Sequence, residues 1–525
     1  MKKIFNNLKK SWTVIILFLA WLPITFFNTK IYWMLVDDGW DIVFTRTLFE
    51  KLSGLNITGF FSQLLESGGR FRPIYWMYHM TVWLIGGNSF QFQHFAHMLV
   101  IGVTVFFIYL IVKELTRSIS VAFFAALFYL LTPLNTENIM RLGPQEPILA
   151  MFLAILFYLL IKGENIILPS IIAFLAIFTK ETSVAMLPVL IFYFLYARKN
   201  KFVKNSKQSL YLLITACASA AVLVLITFLT RSGYSTNYYF DAYMLLGNLM
   251  VYFKELTKNT LYLFPAIPII YLIRIAFASV RRQRIFITKI DLFEFLFFVA
   301  FLGFFAIQLP WKYALTRYLM PTIFFLTVFS FTEVHWCFKL INTYRYIYKH
   351  NRIFIFLTMF IGIYVFSLWG IDVISKEMSS ISTYDVFKKM SGYPRDTVIL
   401  MNMKPGESTI ELVDEIQIHL SEFWGRGDIK SQYLDLQNLP KDNYVIVDSN
   451  QFPRAYTREE INSLYKNKYT SINKISKRPV ITTPIEIIKQ TLKKTINLLV
   501  YKKLFTAEGI YTYYYNYSNW YFYNE

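Results

Sequence analysis

Long apolar runs alternate with short clusters of charge along the first 370 or so residues, and the pattern changes after that. Eleven runs read as membrane-spanning helices: approximately 12–28, 90–112, 119–133, 145–161, 166–178, 183–197, 210–230, 260–277, 291–309, 319–338 and 353–370. The stretch RPIYWMYHMTVWLIGG (72–87) is apolar too. Counting it as a span would put the following basic clusters on the opposite side. Its Tyr, Trp and His suit a short amphipathic helix lying on the outer membrane face. From about residue 372 the apolar runs shorten and Lys, Asp, Glu and Asn become frequent. There DTVILMN (396–402) and NYVIVDS (443–449) read as buried strands, with an amphipathic helix, STIELVDEIQIHLSEFW (408–424), between them. EIIKQTLKKTINLLVYKKLF (486–505) reads as a basic amphipathic helix, and the alternating YTYYYNYSNWYFYNE (511–525) as a strand. The prediction is a mainly α polytopic membrane protein with about eleven transmembrane helices in residues 1–371, followed by a small α/β domain at 372–525.

Composition agrees with that class. Of 525 residues 55% are hydrophobic and 16% charged, and the mean hydropathy is +0.41. A net charge of +20 suggests nucleic acid at first sight. The excess Lys and Arg fall in short loops between spans, which suits topology and anionic lipid and argues against a nucleic-acid partner. With the N-terminus inside, KELTR (113–117), ARKNKFVKNSK (197–207), RRQRIFITK (281–289) and KLINTYRYIYKHNR (339–352) all lie in the cytoplasm. The first apolar run has no small-residue cleavage site after it and reads as an uncleaved span. An odd number of spans then places 372–525 outside the cell. Cys217 and Cys337 each lie in an apolar run and read as buried thiols rather than a framework.

On that topology the outer loops collect charges of both signs. Loop one holds Asp37, Asp38 and Asp41, then Arg70 and Arg72; loop two holds Glu137, Arg141 and Glu146. Lys180 and Glu181 occupy the tight turn TKETS, and Lys312 and Arg317 the stretch WKYALTRYLMP. Charges beside span ends are costly unless solvated, paired or lining a cavity. The set as a whole reads as a site for an anionic group and a proton. A transporter or flippase of lipid-linked sugar is the alternative. It would place charge in the middle of broken spans, and here the middles are almost purely apolar, with His97 and Glu294 read as packed.

Four stretches occur in order: VDDGWDIVF, GRFRPIYWMYHMTVWLIGGNSFQFQHFAH, TPLNTENIMRLGPQEPILA and LAIFTKETSVAMLPVL. Together they resemble the GT-C superfamily of membrane glycosyltransferases, nearest the protein O-mannosyltransferase-like branch. That branch has an acidic pair in the first outer loop, an Arg-Pro before the surface helix, a Pro-x-x-Thr-Glu segment and a Lys-Glu after the fifth span. RYLMP (317–321) is similar to its Arg-Tyr-x-x-Pro segment. Tetratricopeptide repeats, present in some of these enzymes, are absent, and the C-terminal region carries no assignable motif. The resemblance implies inverting transfer of a sugar from a polyprenyl-phosphate carrier to a hydroxyl of a glycan, lipid or protein at the outer face of the cell membrane. Asp37 or Asp38 is then the base, Asp37 favoured as first member of the pair. The other is left to orient it or to bind a divalent metal. Glu137 and Glu181 are supporting acids. Arg72, Lys180 and Arg317, with Arg141, would grip the carrier phosphate, arginines by a fork and lysine as a point charge.

The topology is open to a direct test. A cysteine placed at 204 should resist a membrane-impermeant thiol reagent added outside, and one at 430 should react. The opposite labelling would refute the inside-positive assignment.

Overall fold

A computed structural model describes residues 2–29, 38–66, 71–163, 167–200, 206–229, 240–259, 263–280, 289–311, 314–343, 383–405, 407–440, 443–449, 454–464, 471–475 and 520–524. The protein is mainly helical. It divides into two compact units, Met1–Lys30 with Phe44–Trp369, and Ile31–Val43 with Gly370–Glu525. The acidic stretch of loop one, assigned from sequence to the membrane domain, therefore groups with the C-terminal residues.

In chain order the helices run α1 (Lys2–Asn28), α2 (Asp38–Ser53), α3 (Ile57–Glu66), α4 (Pro73–Gly86), α5 (Phe90–Thr116), α6 (Ile119–Leu131) and α7 (Thr136–Met140). Then come α8 (Glu146–Lys162), α9 (Ile167–Ile177), α10 (Leu187–Asn200), α11 (Ser206–Leu229) and α12 (Ala242–Asn259). The unit closes with α13 (Leu263–Val280), α14 (Lys289–Ala306) and α15 (Met320–Thr343). Their ends follow local chemistry. The Ser89 hydroxyl accepts from the Phe92 N–H to start α5, and that of Ser118 from Val121 to start α6. Pro73 supplies the fixed φ at the start of α4. Gly163, at φ 68°, closes α8 by donating to the Leu159 carbonyl.

Ten of the eleven expected spans fall on helices, and the eleventh, 353–370, lies outside the described residues. Several are short for a full crossing: α8 has 17 residues, α9 11 and α10 14. Among the described residues two helices are long and apolar enough by length and composition, Phe90–Thr116 and Ser209–Ile226. A third is added if the pair Ile119–Leu131 and Pro133–Met140, bent by 48°, is one span. The span expected from 183 begins instead as a 3-10 turn, Glu181–Met186. The helices α2, α3 and α12 were not anticipated. Their mixed sequences lie in stretches that read as loops, and α2 has Gly39 in its first turn. At 72–87, where a surface helix is expected, the chain forms the helix α4.

Apolar surface gives no net drive for helices to associate within lipid, so packing must come from close contact. Between α8, α14 and α15 it is aromatic: Phe157 lies 4.9 Å from Phe297 and 5.0 Å from Phe325, and Phe325 5.1 Å from Phe304. At the crossing of α1 and α5 the Trp21 indole donates to the Met98 carbonyl (2.9 Å), and Gly102 leaves room for its ring.

In the second unit a helix at 383–391 (α16) precedes β1 (Val398–Met401), α17 (Glu407–Ile418), β2 (Lys430–Tyr433) and β3 (Tyr444–Ser449). After these come α18 (Arg458–Leu464), β4 (Ser471–Ile475) and β5 (Trp520–Asn524). The sheet order is β2-β1-β3-β5-β4, with β1 parallel to β2 and β3, and β5 antiparallel to β3 and β4. The central β1 reads as an unbroken apolar run because its inner residues are covered on both faces. Both strands and the helix expected between them are present. The closing strand sits inside the sheet rather than at its edge, and the basic helix expected at 486–505 lies outside the described residues.

Just past β1, buried Asn402 donates to Asp448 Oδ1 (3.2 Å) and the Tyr456 carbonyl (2.9 Å), and accepts from the Tyr456 N–H (2.9 Å). Asn402→Ala strands these partners and should cost about 1–3 kcal/mol. Faster hydrogen exchange at β1 and β3 would register it; unchanged exchange would contradict it.

Candidate functional site

Charged residues gather where helices of the first unit end. A helix of five residues satisfies almost none of its own carbonyls, and α7 shows how they are met. Its Asn138 carbonyl lies 2.6 Å from His97 Nε2; a carbonyl only accepts, so that nitrogen carries the proton. The Ile139 carbonyl accepts from the Asn28 amide (2.9 Å) at the end of α1. The Asn138 side chain in turn donates to the backbone carbonyl of Arg317 (2.7 Å). Thus α1, α5 and the 3-10 turn Thr316–Leu319 are all tied to α7.

That tie brings the charges of two distant loops together. Glu137 accepts from the Arg141 guanidinium at 2.9 Å and lies 3.9 Å from that of Arg317. Past the link that ends α7, Glu146 in the first turn of α8 pairs with the ammonium of Lys180. Both side chains are almost wholly buried, at 2% and 3% exposure, where an unpartnered charge would not survive. Tyr318 lies between the two sets, its ring 4.7 Å from Lys180 Nζ and 5.5 Å from Arg317 Cζ. Trp311 meets the same ring edge-on at 6.0 Å.

Arg72 joins from α4. The Ile74 N–H donates to the Phe178 carbonyl (3.3 Å), next to Lys180, and the Tyr75 hydroxyl donates to the Gly143 carbonyl (2.8 Å), between Arg141 and Glu146. The Arg72 guanidinium stands 5.5 Å from the Tyr75 ring and 5.7 Å from that of Trp76. Beneath them lies His79, whose pKa is pulled down to about 3, by burial first and then by nearby His97 and Arg72. It is a neutral imidazole under ordinary conditions.

Of the residues singled out from sequence, the structure brings Glu137, Arg141 and Arg317 into one group, with Lys180 joined to it through Tyr318. Glu181 opens the next 3-10 turn, half-buried. Asp38 and Asp41 occupy the first turn of α2 and belong to the second unit; Asp38 is fully buried. Asp37 lies outside the described residues. Among the described residues no group of three or more His, Cys, Asp or Glu is placed to hold a metal ion. Sequence reasoning missed Glu146 as the partner of Lys180, Tyr318 as the ring between the cations, and His97 and Asn138 as the braces of α7. An acid followed by proline at a helix start, as in QEP, was the one signal available for Glu146.

The buried pair separates a structural from a binding duty. Lys180→Met alone leaves Glu146 uncompensated and should cost about 3–5 kcal/mol, whereas Lys180→Met with Glu146→Gln should recover most of that stability. Thermal denaturation of the purified protein measures both. Equal destabilisation by the single and double changes would mean that the pair is not the source.

Residues 73–226, from α4 to α11, match the family model described as dolichyl-phosphate-mannose-protein mannosyltransferase. No curated protein gives a significant match. Among solved structures, ArnT from Cupriavidus metallidurans bound to undecaprenyl phosphate is 11% identical, covering 89% of this chain and 96% of its own, with a TM-score of 0.48. The same protein in the apo state is 12% identical, covering 88% and 95%, with a TM-score of 0.46. The α4–α11 segment is thus similar to the dolichyl-phosphate-mannose-protein mannosyltransferases, members of the glycosyltransferase superfamily that the sequence motifs resemble.

Proposed function

We infer that this chain is an integral membrane glycosyltransferase that moves a sugar from a polyprenyl-phosphate carrier to an acceptor. The family match over 73–226 carries this reading, because the matched segment contains Glu137, Arg141, Glu146 and Lys180. Nucleotide sugars are confined to the cytoplasm, so a transferase working at the outer face needs a lipid-held donor. We assign the reaction to that face, with about eleven spans and residues 372–525 outside, on the positive-inside bias.

In the reaction an acceptor hydroxyl attacks C1 of the sugar as the bond from C1 to the phosphate oxygen breaks. The electron pair leaves with the phosphate, and the hydroxyl proton passes to a carboxylate. Inversion at C1 follows from the single displacement. Asp37 or Asp38 takes the proton, on the resemblance of VDDGWD to the acidic pair of the family. Arg72 and Arg317 offer forked donors to the phosphate, and Arg141 adds charge beside Arg317. Lys180, already paired with Glu146, supports them as part of the positive surroundings rather than as the principal ligand. Glu137 holds the guanidinium groups of Arg141 and Arg317 in register.

Asp37→Asn and Asp38→Asn separate catalysis from helix capping, since Asn caps but cannot act as a base. Loss of the base should lower turnover by about 10²–10⁴ while polyprenyl-phosphate binding persists. Arg317→Lys should weaken that binding because the fork is lost. Transfer is followed by mass spectrometry of envelope glycans in deletion cells carrying each variant. Full transfer by folded forms of both Asn variants would refute the catalytic assignment.

A further inference from the structure

The first turn of α2 is seated against α17. The Trp40 N–H donates to Glu415 Oε1 at 3.3 Å, which meets one of the amide donors that a helix leaves open at its start. A carboxylate there also sits at the positive end of the α2 dipole. Glu415 is 1% exposed and lies 3.8 Å from His419 Nε2. His419, fully buried, stacks on Phe387 of α16 with ring centroids 4.7 Å apart and planes within 12°. The α2 backbone comes close to this pair, so that a side chain at Gly39 would force the Glu415 carboxylate to shift. A Cβ on Gly39 would fall 2.3 Å from Glu415 Oε2 and 3.3 Å from the His419 ring. Gly39 therefore stands between Asp38 and Trp40 because the α2 backbone must approach two packed side chains. Asp38, next to it, is fully buried in the same turn.

We propose that Glu415 and His419 are positioning residues for the first turn of α2, so that the C-terminal residues serve the reaction by holding Asp38 in place. The chemistry favours this over chance packing. A buried carboxylate is expensive, and this one is used on the backbone amide of Trp40, two residues from Asp38. Phe387 fixes the His419 ring, His419 lies against Glu415, and Glu415 holds the turn. The proposal rests on the reading of Asp37 or Asp38 as the base.

Three changes in the full-length protein test it, each beside Asp37→Asn and Asp38→Asn. Glu415→Ala removes the acceptor, and Gly39→Ala pushes the turn off its seat. Each should lower the rate of glycan formation in deletion cells about 10-fold to 10²-fold, the scale of a small misplacement of a catalytic group. Binding of polyprenyl phosphate itself, measured in nanodiscs, should stay unchanged. Glu415→Gln keeps an acceptor oxygen and should restore most of the rate. In the Glu415→Ala background Gly39→Ala should cost little more, since the space it needs has been opened. Hydrogen exchange at residues 38–41 should quicken in Glu415→Ala while β1 and β3 keep their protection; this reads out even where only part of the protein folds.

Normal rates in Glu415→Ala and Gly39→Ala, with Asp38→Asn or Asp37→Asn inactive, would overturn the positioning role and leave the base assignment standing. Full activity in both Asn variants would overturn the base assignment instead. Unchanged exchange at 38–41 in Glu415→Ala, or no recovery with Gln, would also overturn the proposal.

Discussion

Charge inside an apolar bundle must be matched or it is expelled, and the first unit is arranged around that requirement. Glu146 is matched by Lys180, Glu137 by Arg141 and Arg317, and Arg274 by Glu294 and Glu333. Desolvating an ion costs several kcal/mol, and a single opposite charge at good geometry recovers most of it. Except for Glu137–Arg141, which lies within one turn, the pairs also link separate elements. Glu146–Lys180 ties the start of α8 to the turn after α9, and Arg274 ties α13 to α14 and α15. Packing of phenylalanines fills the space between these ties without choosing which helix faces which. The ion pairs are specific where the aromatic contacts are not.

The candidate site is built almost wholly from helix ends. There the backbone still has open donors and acceptors, and there α7 borrows side chains from α1 and α5 to satisfy its carbonyls. The result is a short, braced platform carrying Glu137 and Arg141, with the Arg317 backbone attached by Asn138. A site that must stabilise charge on a leaving phosphate benefits from donors that need not reorganise. Aromatic faces at Tyr75, Trp76 and Tyr318 limit where the guanidinium and ammonium groups can move.

The second unit uses a different economy. Its parallel strands β1 and β3 are covered, and the polar groups just beyond them close on one another through Asn402, Asp448 and Arg454. Its α17, with the π-turn His419–Phe423 that continues it, carries a buried acid and a buried imidazole where the first turn of α2 is received.

The helical class, the positions of ten of the expected helices, the helix α4 and the strands β1 and β3 were legible in the chain, because each depends on a local period and on apolar runs. The candidate charges were legible for a related reason: charge is rare in such a sequence, so Glu137, Arg141, Lys180 and Arg317 stand out. Partnership was not legible. Glu146 and Lys180 are separated by 34 residues, and Asn138 and Arg317 by 179, and nothing local records that they meet. Helices such as α2 and α12 were hidden because their mixed sequences take their order from neighbours rather than from propensity. Gly39 reads in sequence as a turn residue, yet its place in the first turn of α2 is set by the side chains of Glu415 and His419, some 375 residues away. Local pattern determined which elements form and where charge is available; only tertiary packing decided which charges are paired and which backbone must come close, because both depend on contacts between residues remote in the chain.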